Sequence, residues 1–381
     1  MRKAGIVILA FILAFYTFNS EEIYKKDIRN RLVIQGIGID ILNNGEYSIT
    51  IQAIDTNAQT ASSSDGASQP PLKAFQVKGD TIYSTIKSVT ETEGKIPLYS
   101  QNRIIILGKS ITEENMADVI DFFVRDVENS STVYIAAAEK TAGEILQAKN
   151  GEEYISAKSI ETGMGSYKYD ARIFNTQLFD LINRYNSGTK DFAVPLLSLK
   201  EKDGEKSVEI VGTALFNNTR YREKISKDET VFLNLLYNRV NNTALAYDLG
   251  EDKKVSLNIV DAETKRQVTL KNGKPHFNIK ISLQADVCEV SGGVSAVMER
   301  KEIDLIRNTG EKYIKNNTEK MLYTLYEKYN SDAVGLARLL YRDEQNFYKN
   351  NEKNLDSILQ NSSYEVEVSL KIRRIGQEFI T

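Results

Sequence analysis

Two segments in the C-terminal part of the chain alternate between apolar and polar residues, and this pattern limits the possible folds more than any other. From residue 277 to 287 every second residue is apolar, beginning at Phe277, and the same period returns over 364–372. Because successive side chains of a β-strand point to opposite faces of a sheet, a period of two predicts strands with one buried face. The C-terminal part is therefore predicted to contain a half-buried sheet.

The first half predicts a β-hairpin followed by alternating helices and strands. Residues 31–40 form an apolar run, Asn44-Gly45 suits a tight turn, and residues 47–53 alternate at period two. Residues 80–90 predict a helix, and the apolar run 103–108 predicts a strand covered on both faces. Thr112 is predicted to cap the next helix. The apolar face of that helix is predicted to contain Met116, Val119, Ile120, Phe123 and Val124.

Further along the chain, residues 303–328 predict a long charged helix that packs on a sheet, and residues 336–346 predict a second helix. Strands outnumber helices, and several neighbouring strands are predicted to be antiparallel. The predicted fold class is therefore α+β, with several domains of mostly antiparallel or mixed sheets packed with helices.

The N-terminus has the outline of an export signal. Arg2 and Lys3 precede fifteen residues without a charge, and the polar chain resumes at Asn19. The apolar run is shorter than the roughly 20 residues that span a bilayer comfortably. Residues 1–20 are thus predicted to be an export signal or a short membrane anchor, which puts the rest of the chain on the outer face of a membrane.

Composition excludes several classes of function. The net charge of −3 provides no basic field for nucleic acid. With one cysteine, Cys288, and one histidine, His276, the chain can form no internal disulfide, and its composition argues against a zinc site. No nucleophile elbow, phosphate-binding loop or dinucleotide fingerprint occurs. We therefore predict no catalytic, cofactor-binding or metal-binding residues, and no enzyme.

Eight short segments together resemble the Ger(x)C family, the C subunits of nutrient germinant receptors in endospore-forming bacteria. Each segment is weak alone, but all eight occur in the family's order over residues 22–375. They are residues 32–40, the strand that begins at Tyr47, and residues 98–108, 119–126, 212–216, 272–277, 331–336 and 366–376.

The resemblance implies a non-enzymatic receptor subunit with a three-domain α+β fold. The expected units are residues 21–195, 196–271 and 272–381. Such a subunit acts with a polytopic A subunit and a transmembrane B subunit to trigger germination. It is expected at the outer face of the spore inner membrane or the cell membrane. The alternative, from another functional class, is an extracytoplasmic solute-binding or cell-wall-binding protein.

The chain departs from the family pattern at the end of the export signal. Family members usually carry a lipobox cysteine there, whereas this chain has Thr17, Phe18, Asn19 and Ser20. Without a cysteine near Asn19 and Ser20, no lipidation site is predicted. We expect residues 4–18 to be retained as a short anchor.

The same motifs suggest residues that contact partner subunits. These are polar residues and one glycine that the fold itself need not require. For each of them, a local cap, turn or salt bridge is the alternative interpretation. The predicted contacts are Arg103, Arg125, Asp126, Ser331, Asp332, Gly335, Arg373 and Arg374.

Overall fold

The computed structural model describes residues 30–54, 71–114, 116–125, 130–151, 153–186, 189–250, 253–291, 299–375 and 378–379. Its strands are β1 (Arg31–Ile41), β2 (Tyr47–Ile54), β3 (Leu72–Gly79), β4 (Ile96–Leu98), β5 (Ile104–Leu107), β6 (Tyr134–Ala138), β7 (Lys149–Asn150), β8 (Glu153–Tyr154), β9 (Phe192–Lys202), β10 (Glu205–Asn217), β11 (Arg220–Ile225), β12 (Thr243–Gly250), β13 (Lys253–Lys271), β14 (Lys274–Val290), β15 (Ser363–Ile375) and β16 (Glu378–Phe379).

The helices of the described residues connect and cover these strands. They are α1 (Ile82–Glu93), α2 (Lys109–Glu114), α3 (Ala117–Arg125), α4 (Ala142–Leu146), α5 (Ala157–Gly165), α6 (Leu178–Tyr185), α7 (Lys227–Leu236), α8 (Arg300–Leu322), α9 (Leu336–Asp343), α10 (Gln345–Asn351) and α11 (Leu355–Gln360). A π-helical segment, Tyr323–Lys328, continues α8. Short 3₁₀ turns lie at Tyr99–Gln101, Ser166–Lys168 and Glu352–Asn354.

The first sheet is mixed and has the order β11-β10-β9-β6-β5-β1-β2-β3, with β4 beside β1. Its centre, β1-β5-β6-β9, is parallel, and the short strand β4 also pairs with β1 in parallel. The other strands, β2, β3, β10 and β11, pair antiparallel. Ile105 and Leu107 of β5 pack with helices α1, α3 and α6 on one face, whereas Ile104 and Ile106 pack with α4 and α5 on the other. The predicted strand covered on both faces is confirmed.

Two glycines of β1 allow α4 and α5 to approach the sheet closely. A Cβ atom at Gly36 would lie 3.0 Å from Leu146 and 3.1 Å from Ala157, and one at Gly38 would lie 3.0 Å from Ala142. These contacts are tighter than ordinary van der Waals contact, so a side chain at either position would push the helices outward. The Gly36-x-Gly38 pair therefore serves helix packing.

The second sheet has the order β12-β13-β14-β15-β16, in which β14 and β15 are parallel and the other pairs are antiparallel. Helix α8 lies across its apolar face, where Ile306 and Ile314 pack with Ile281 and Leu370. The same core continues onto Leu215 of the first sheet. The core of the second sheet thus extends onto one end of the first sheet, whose two faces otherwise have their own cores.

Most predicted elements are present, with two local errors. The hairpin, the alternating strands and the long charged helix are all confirmed. The prediction that Thr112 caps a helix was wrong, because it lies inside α2 and its hydroxyl donates to the carbonyl of Lys109 at 3.0 Å. Val124 was also misplaced, since it is 44% exposed while Phe123 is buried.

The predicted domain boundaries fall at two different kinds of position. The boundary at 195/196 lies inside β9, which pairs with both β6 and β10. The boundary at 271/272 lies at the turn of the β13–β14 hairpin, where Lys271 pairs with Lys274. The three residue ranges remain a prediction.

Residues 1–20, the predicted signal or anchor, lie outside the described residues. Within the described ranges, no helix is long and apolar enough to cross a membrane.

Candidate functional site: a buried junction between the two sheets

The segment that connects the π-helical turn to α9 is inserted between the two sheets. Ser331 is fully buried, and its hydroxyl donates to the carbonyl of Phe216 on β10 at 2.6 Å. The side-chain amide of Asn217, also on β10, donates to the carbonyl of Asn330 at 2.6 Å. These two bonds attach the segment to the first sheet.

Asp332 organises the segment and the start of α9. Its carboxylate accepts hydrogen bonds from the backbone N–H groups of Gly335 (3.0 Å), Leu336 (2.6 Å) and Ala337 (3.0 Å). The hydroxyl of Tyr326 donates to the same carboxylate at 2.6 Å. A carboxylate at a helix N-terminus satisfies N–H groups that have no partner within the helix and interacts favourably with the helix dipole. Asp332 therefore stabilises α9.

A second buried aspartate, Asp191, contacts the backbone of the first. Its Oδ2 accepts from the N–H of Asp332 at 2.7 Å, and its Oδ1 accepts from the N–H of Asn218 at 2.7 Å. Asp191 comes directly before β9, and Asn218 lies in the turn between β10 and β11. One carboxylate thus joins the first sheet to the inserted segment.

Two arginines, one from a helix that packs on the first sheet and one from a strand of the second sheet, bind the same carbonyl of the segment. Nη2 of Arg184, on α6, donates to the carbonyl of Val334 at 3.0 Å, and Nη1 of Arg266, on β13, donates to it at 3.1 Å. The hydroxyl of Tyr237, just after α7, donates to the neighbouring carbonyl of Ala333. The segment is consequently held by the first sheet, the second sheet and α7 at once. We call Asp191, Arg184, Arg266, Tyr326 and residues 330–335 the junction.

Burial shifts the ionisation of the junction. It raises the pKa of Asp191 to about 8; the N–H bonds from Asn218 and Asp332 oppose this shift, and the Asp332 carboxylate adds to it. Burial also raises the pKa of Asp332, against the hydrogen bond from Tyr326 and the charge of Arg184. For Arg266, burial lowers the pKa. For all three groups, desolvation thus outweighs the favourable contacts and disfavours the charged form.

The two carboxylates of the junction are enclosed by the protein and bind its own backbone. Asp332 is 3% exposed and Asp191 is fully buried, so no substrate reaches either carboxylate. The described part of the chain contains no group of three His, Cys, Asp or Glu side chains placed to hold a metal ion. The junction links the two sheets through hydrogen bonds to the backbone of the inserted segment.

Three of the predicted contacts, Ser331, Asp332 and Gly335, come together in the junction. Gly335 adopts the left-handed conformation, with φ of 83°, and a Cβ atom there would lie 2.0 Å from Nη1 of Arg184. Their burial gives all three an internal role.

The remaining predicted contacts are scattered. Arg103 donates to Gln35 at 2.8 Å and pairs with Glu161 at 2.7 Å beside α5. Arg125 is exposed on α3 and pairs with Asp121 at 2.8 Å. Asp126 lies outside the described residues.

Arg373 and Arg374 bind one carboxylate, although they are consecutive residues of a strand. Arg374 pairs with Asp286 at 2.7 Å and Arg373 pairs with it at 3.1 Å. The ladder between β14 and β15 shifts register between Ala285 and Asp286, which brings both side chains to the same side. Burial would raise the pKa of Asp286, but the hydrogen bonds from the two arginines outweigh it and hold this pKa below its ordinary value.

No sequence motif pointed to Arg184, Asp191 and Arg266 as members of the junction. Arg184 and Asp191 are seven residues apart, whereas Arg266 lies 75 residues further along the chain. The sequence carries one weak indication of a buried role for Asp191, which is its position directly before the apolar run that begins at Phe192.

The single histidine and single cysteine do not form a catalytic pair. His276 is buried on β14 between Ser363 (2.7 Å) and Glu365 (3.2 Å). Cys288 is exposed on the same strand. Twelve residues of extended strand separate the two by roughly 40 Å.

Comparison with known proteins gives a consistent result over nearly the whole chain. The family model described as "Spore germination protein N-terminal domain" matches residues 24–199, and the model described as "Spore germination B3/ GerAC like, C-terminal" matches residues 211–376. Together the two models cover the elements from β1 to β15.

Curated relatives and a solved structure agree with these matches. Spore germination protein B3 of Bacillus subtilis (strain 168) is 21% identical over 357 residues, 92% of this chain and 93% of that protein. Spore germination protein KC of the same organism is 21% identical over 338 residues, covering 80% of this chain and 83% of that protein. The crystal structure of the GerBC protein matches 88% of this chain and 96% of its own, with a TM-score of 0.58 and 17% identity. That structure supports the fold.

Proposed function

This chain belongs to the Ger(x)C family of spore germination proteins, and we propose that it acts as the C subunit of a nutrient germinant receptor, beside an A and a B subunit. The observation that carries the proposal is the match of both family models, in order, to residues 24–199 and 211–376. The curated relatives are named as spore germination proteins and are covered over most of their length.

We further propose that the chain is a non-enzymatic scaffold within the receptor. The junction supports this, because its buried carboxylates and guanidiniums bind backbone groups of the chain itself. Such a scaffold presents its surface to partners while the two family-matched halves move as one body. Contacts with partner subunits would then fall on exposed residues, and the buried Ser331, Asp332 and Gly335 would support them from within.

Copurification from spore membranes tests the proposal. A tagged chain should recover the A and B subunits encoded with it after mild detergent extraction. Clean absence of both subunits, with the tagged chain intact and folded, would contradict it.

Arg125 is the exposed predicted contact that can be tested most cleanly. Its replacement by glutamate places a negative charge beside Asp121 on the surface of α3, where it reverses any attraction to an acidic partner. Recovery of the partner subunits should fall several-fold. Arg307→Glu is the matched control, because Arg307 pairs with Asp304 on the exposed side of α8 in the same way. Equal losses for the two variants would argue against a specific contact at Arg125.

We also propose that the chain lies at the outer face of the spore inner membrane or the cell membrane, held by residues 4–18. Fractionation of a C-terminally tagged chain, followed by mass measurement, tests this. A membrane-bound product that retains Met1 or Arg2 supports the anchor, and a soluble, shortened product refutes it.

A further inference from the structure

We propose that a pocket beside the junction binds a small oxyanion, meaning a phosphate or carboxylate group on a small molecule. The pocket has a volume of about 420 Å³ and lies between α6, β9, the chain after α7, and α9. Ligand pockets commonly form where structural units meet, and this volume suits a small molecule. The inference does not depend on the partner subunits.

The walls of the pocket carry an excess of positive charge. Three arginines line it: Arg184, Arg239 and Arg338. Among the described residues that line it, Asp180 is the one carboxylate. Asp180 is already engaged, because it accepts from the N–H of Gln177 at 3.3 Å and pairs with Arg239 at 3.4 Å. Arg184 also interacts with the nearby charge of Asp332. The residues that line the pocket still carry a net positive charge, to which exposed Arg338 contributes.

Two of the arginines are fixed before any ligand binds. Arg239 donates through Nη1 to the carbonyl of Asn175 at 2.9 Å, and Arg184 donates to the carbonyl of Val334 at 3.0 Å. Both guanidiniums also lie near the ring of Tyr237, with Cζ 4.9 Å from its centroid for Arg239 and 5.4 Å for Arg184. Fixed guanidiniums lose little conformational entropy when they bind an oxyanion, so the site is preorganised.

The third arginine is placed to close on a ligand. Arg338 is exposed at the pocket on α9, and no carboxylate of the described residues lies within ion-pair distance of it. A guanidinium presents paired N–H donors that match the oxygens of a carboxylate or phosphate. Arg338 is thus the residue whose loss should weaken binding without disturbing the fold.

The apolar part of the wall indicates which oxyanions fit. Phe174 and Phe192 line the buried end, and Phe179, which is 58% exposed, lies at the rim. An anion with a flat apolar body can stack on these rings while its oxygens reach the guanidiniums. Inorganic phosphate probes the charge alone, and benzoate probes charge and apolar wall together.

Thermal unfolding of the purified chain tests the inference. Phosphate or benzoate should raise Tm saturably, and chloride at equal ionic strength should not. Arg338→Gln should weaken the apparent affinity about tenfold, as expected for the loss of one charge-assisted contact. Arg342→Gln is the matched control, because Arg342 lies one turn further along α9 and is paired with Asp343.

Binding of phosphate but not benzoate would show that the arginines bind the anion, and stronger binding of benzoate would show that the aromatic residues contribute as well. Both outcomes support the site. No rise in Tm beyond chloride for either anion would overturn the inference. Equal weakening by Arg338→Gln and Arg342→Gln would overturn it as well. Far-UV circular dichroism of both variants checks that each is folded, and Arg338→Glu, which reverses the charge, should abolish binding.

Discussion

Replacement of Asp332 by alanine should be among the most destabilising single changes in the chain. The side chain is 3% exposed and accepts four hydrogen bonds, three from backbone N–H groups of α9 and one from the hydroxyl of Tyr326. Each buried donor left without an acceptor costs about 1–3 kcal/mol, and removal of one member of a buried charge cluster costs about 3–5 kcal/mol. Because α9 can relax by fraying, we expect a loss of about 3–5 kcal/mol.

Urea unfolding followed by far-UV circular dichroism measures this loss. The chain has no tryptophan, so tyrosine fluorescence provides the second probe. The matched control is Asp343→Ala at the other end of α9, where the carboxylate pairs with exposed Arg342 and its loss should cost less than about 1 kcal/mol. Similar losses for the two variants would refute the assignment of Asp332 to the junction.

A double-mutant cycle tests the contact between Asp332 and Tyr326 directly. Tyr326→Phe removes a hydroxyl that donates only 2.6 Å from the carboxylate. Its cost should be smaller by about 1–2 kcal/mol when Asp332 is already alanine, because the two groups share one buried hydrogen bond. Additive losses would show that the carboxylate and the hydroxyl act independently.

Three further changes probe other parts of the structure. Burial raises the pKa of Asp191 to about 8 from an ordinary value of 3.8, so between these pH values the folded state binds a proton that the unfolded state releases. This group should therefore lower the free energy of unfolding as pH rises from 4 to 8. Asp191→Asn should remove its contribution to the slope, and an unchanged slope would contradict the shift. Gly335→Ala should lower the free energy of unfolding by at least about 2 kcal/mol more than Gly273→Ala does. Both positions have positive φ, but only at Gly335 would the new Cβ atom clash with Arg184. Equal Tm values for the two variants would contradict this. Asp286→Ala should lower the free energy of unfolding by about 1–3 kcal/mol at pH 7. Because the pKa of Asp286 is depressed in the folded state, the difference from wild type should shrink as pH falls below about 4. A difference that stays constant between pH 7 and 3.5 would argue against the ion pairs.

The sequence by itself determined the local elements, because their periodicity reflects which face is buried. Alternation over residues 277–287 predicted β14, and the spacing of Val119, Ile120 and Phe123 predicted the buried face of α3. Eight short motifs also indicated the family, which the match over both halves confirms. Boundaries that depend on tertiary contacts were less secure, as the misplaced cap at Thr112 shows.

Only the tertiary structure showed where the predicted contact residues lie. Ser331 and Asp332 are polar residues in a loop-like stretch, and such residues are usually exposed. Their burial depends on partners more than 100 residues away, namely Phe216 and Asp191. No local sequence pattern indicates such pairings, because a hydrogen bond between distant segments affects neither the hydrophobic periodicity nor the secondary-structure propensity of either segment. The junction and the arginine-lined pocket beside it therefore emerge only when the two sheets are packed together.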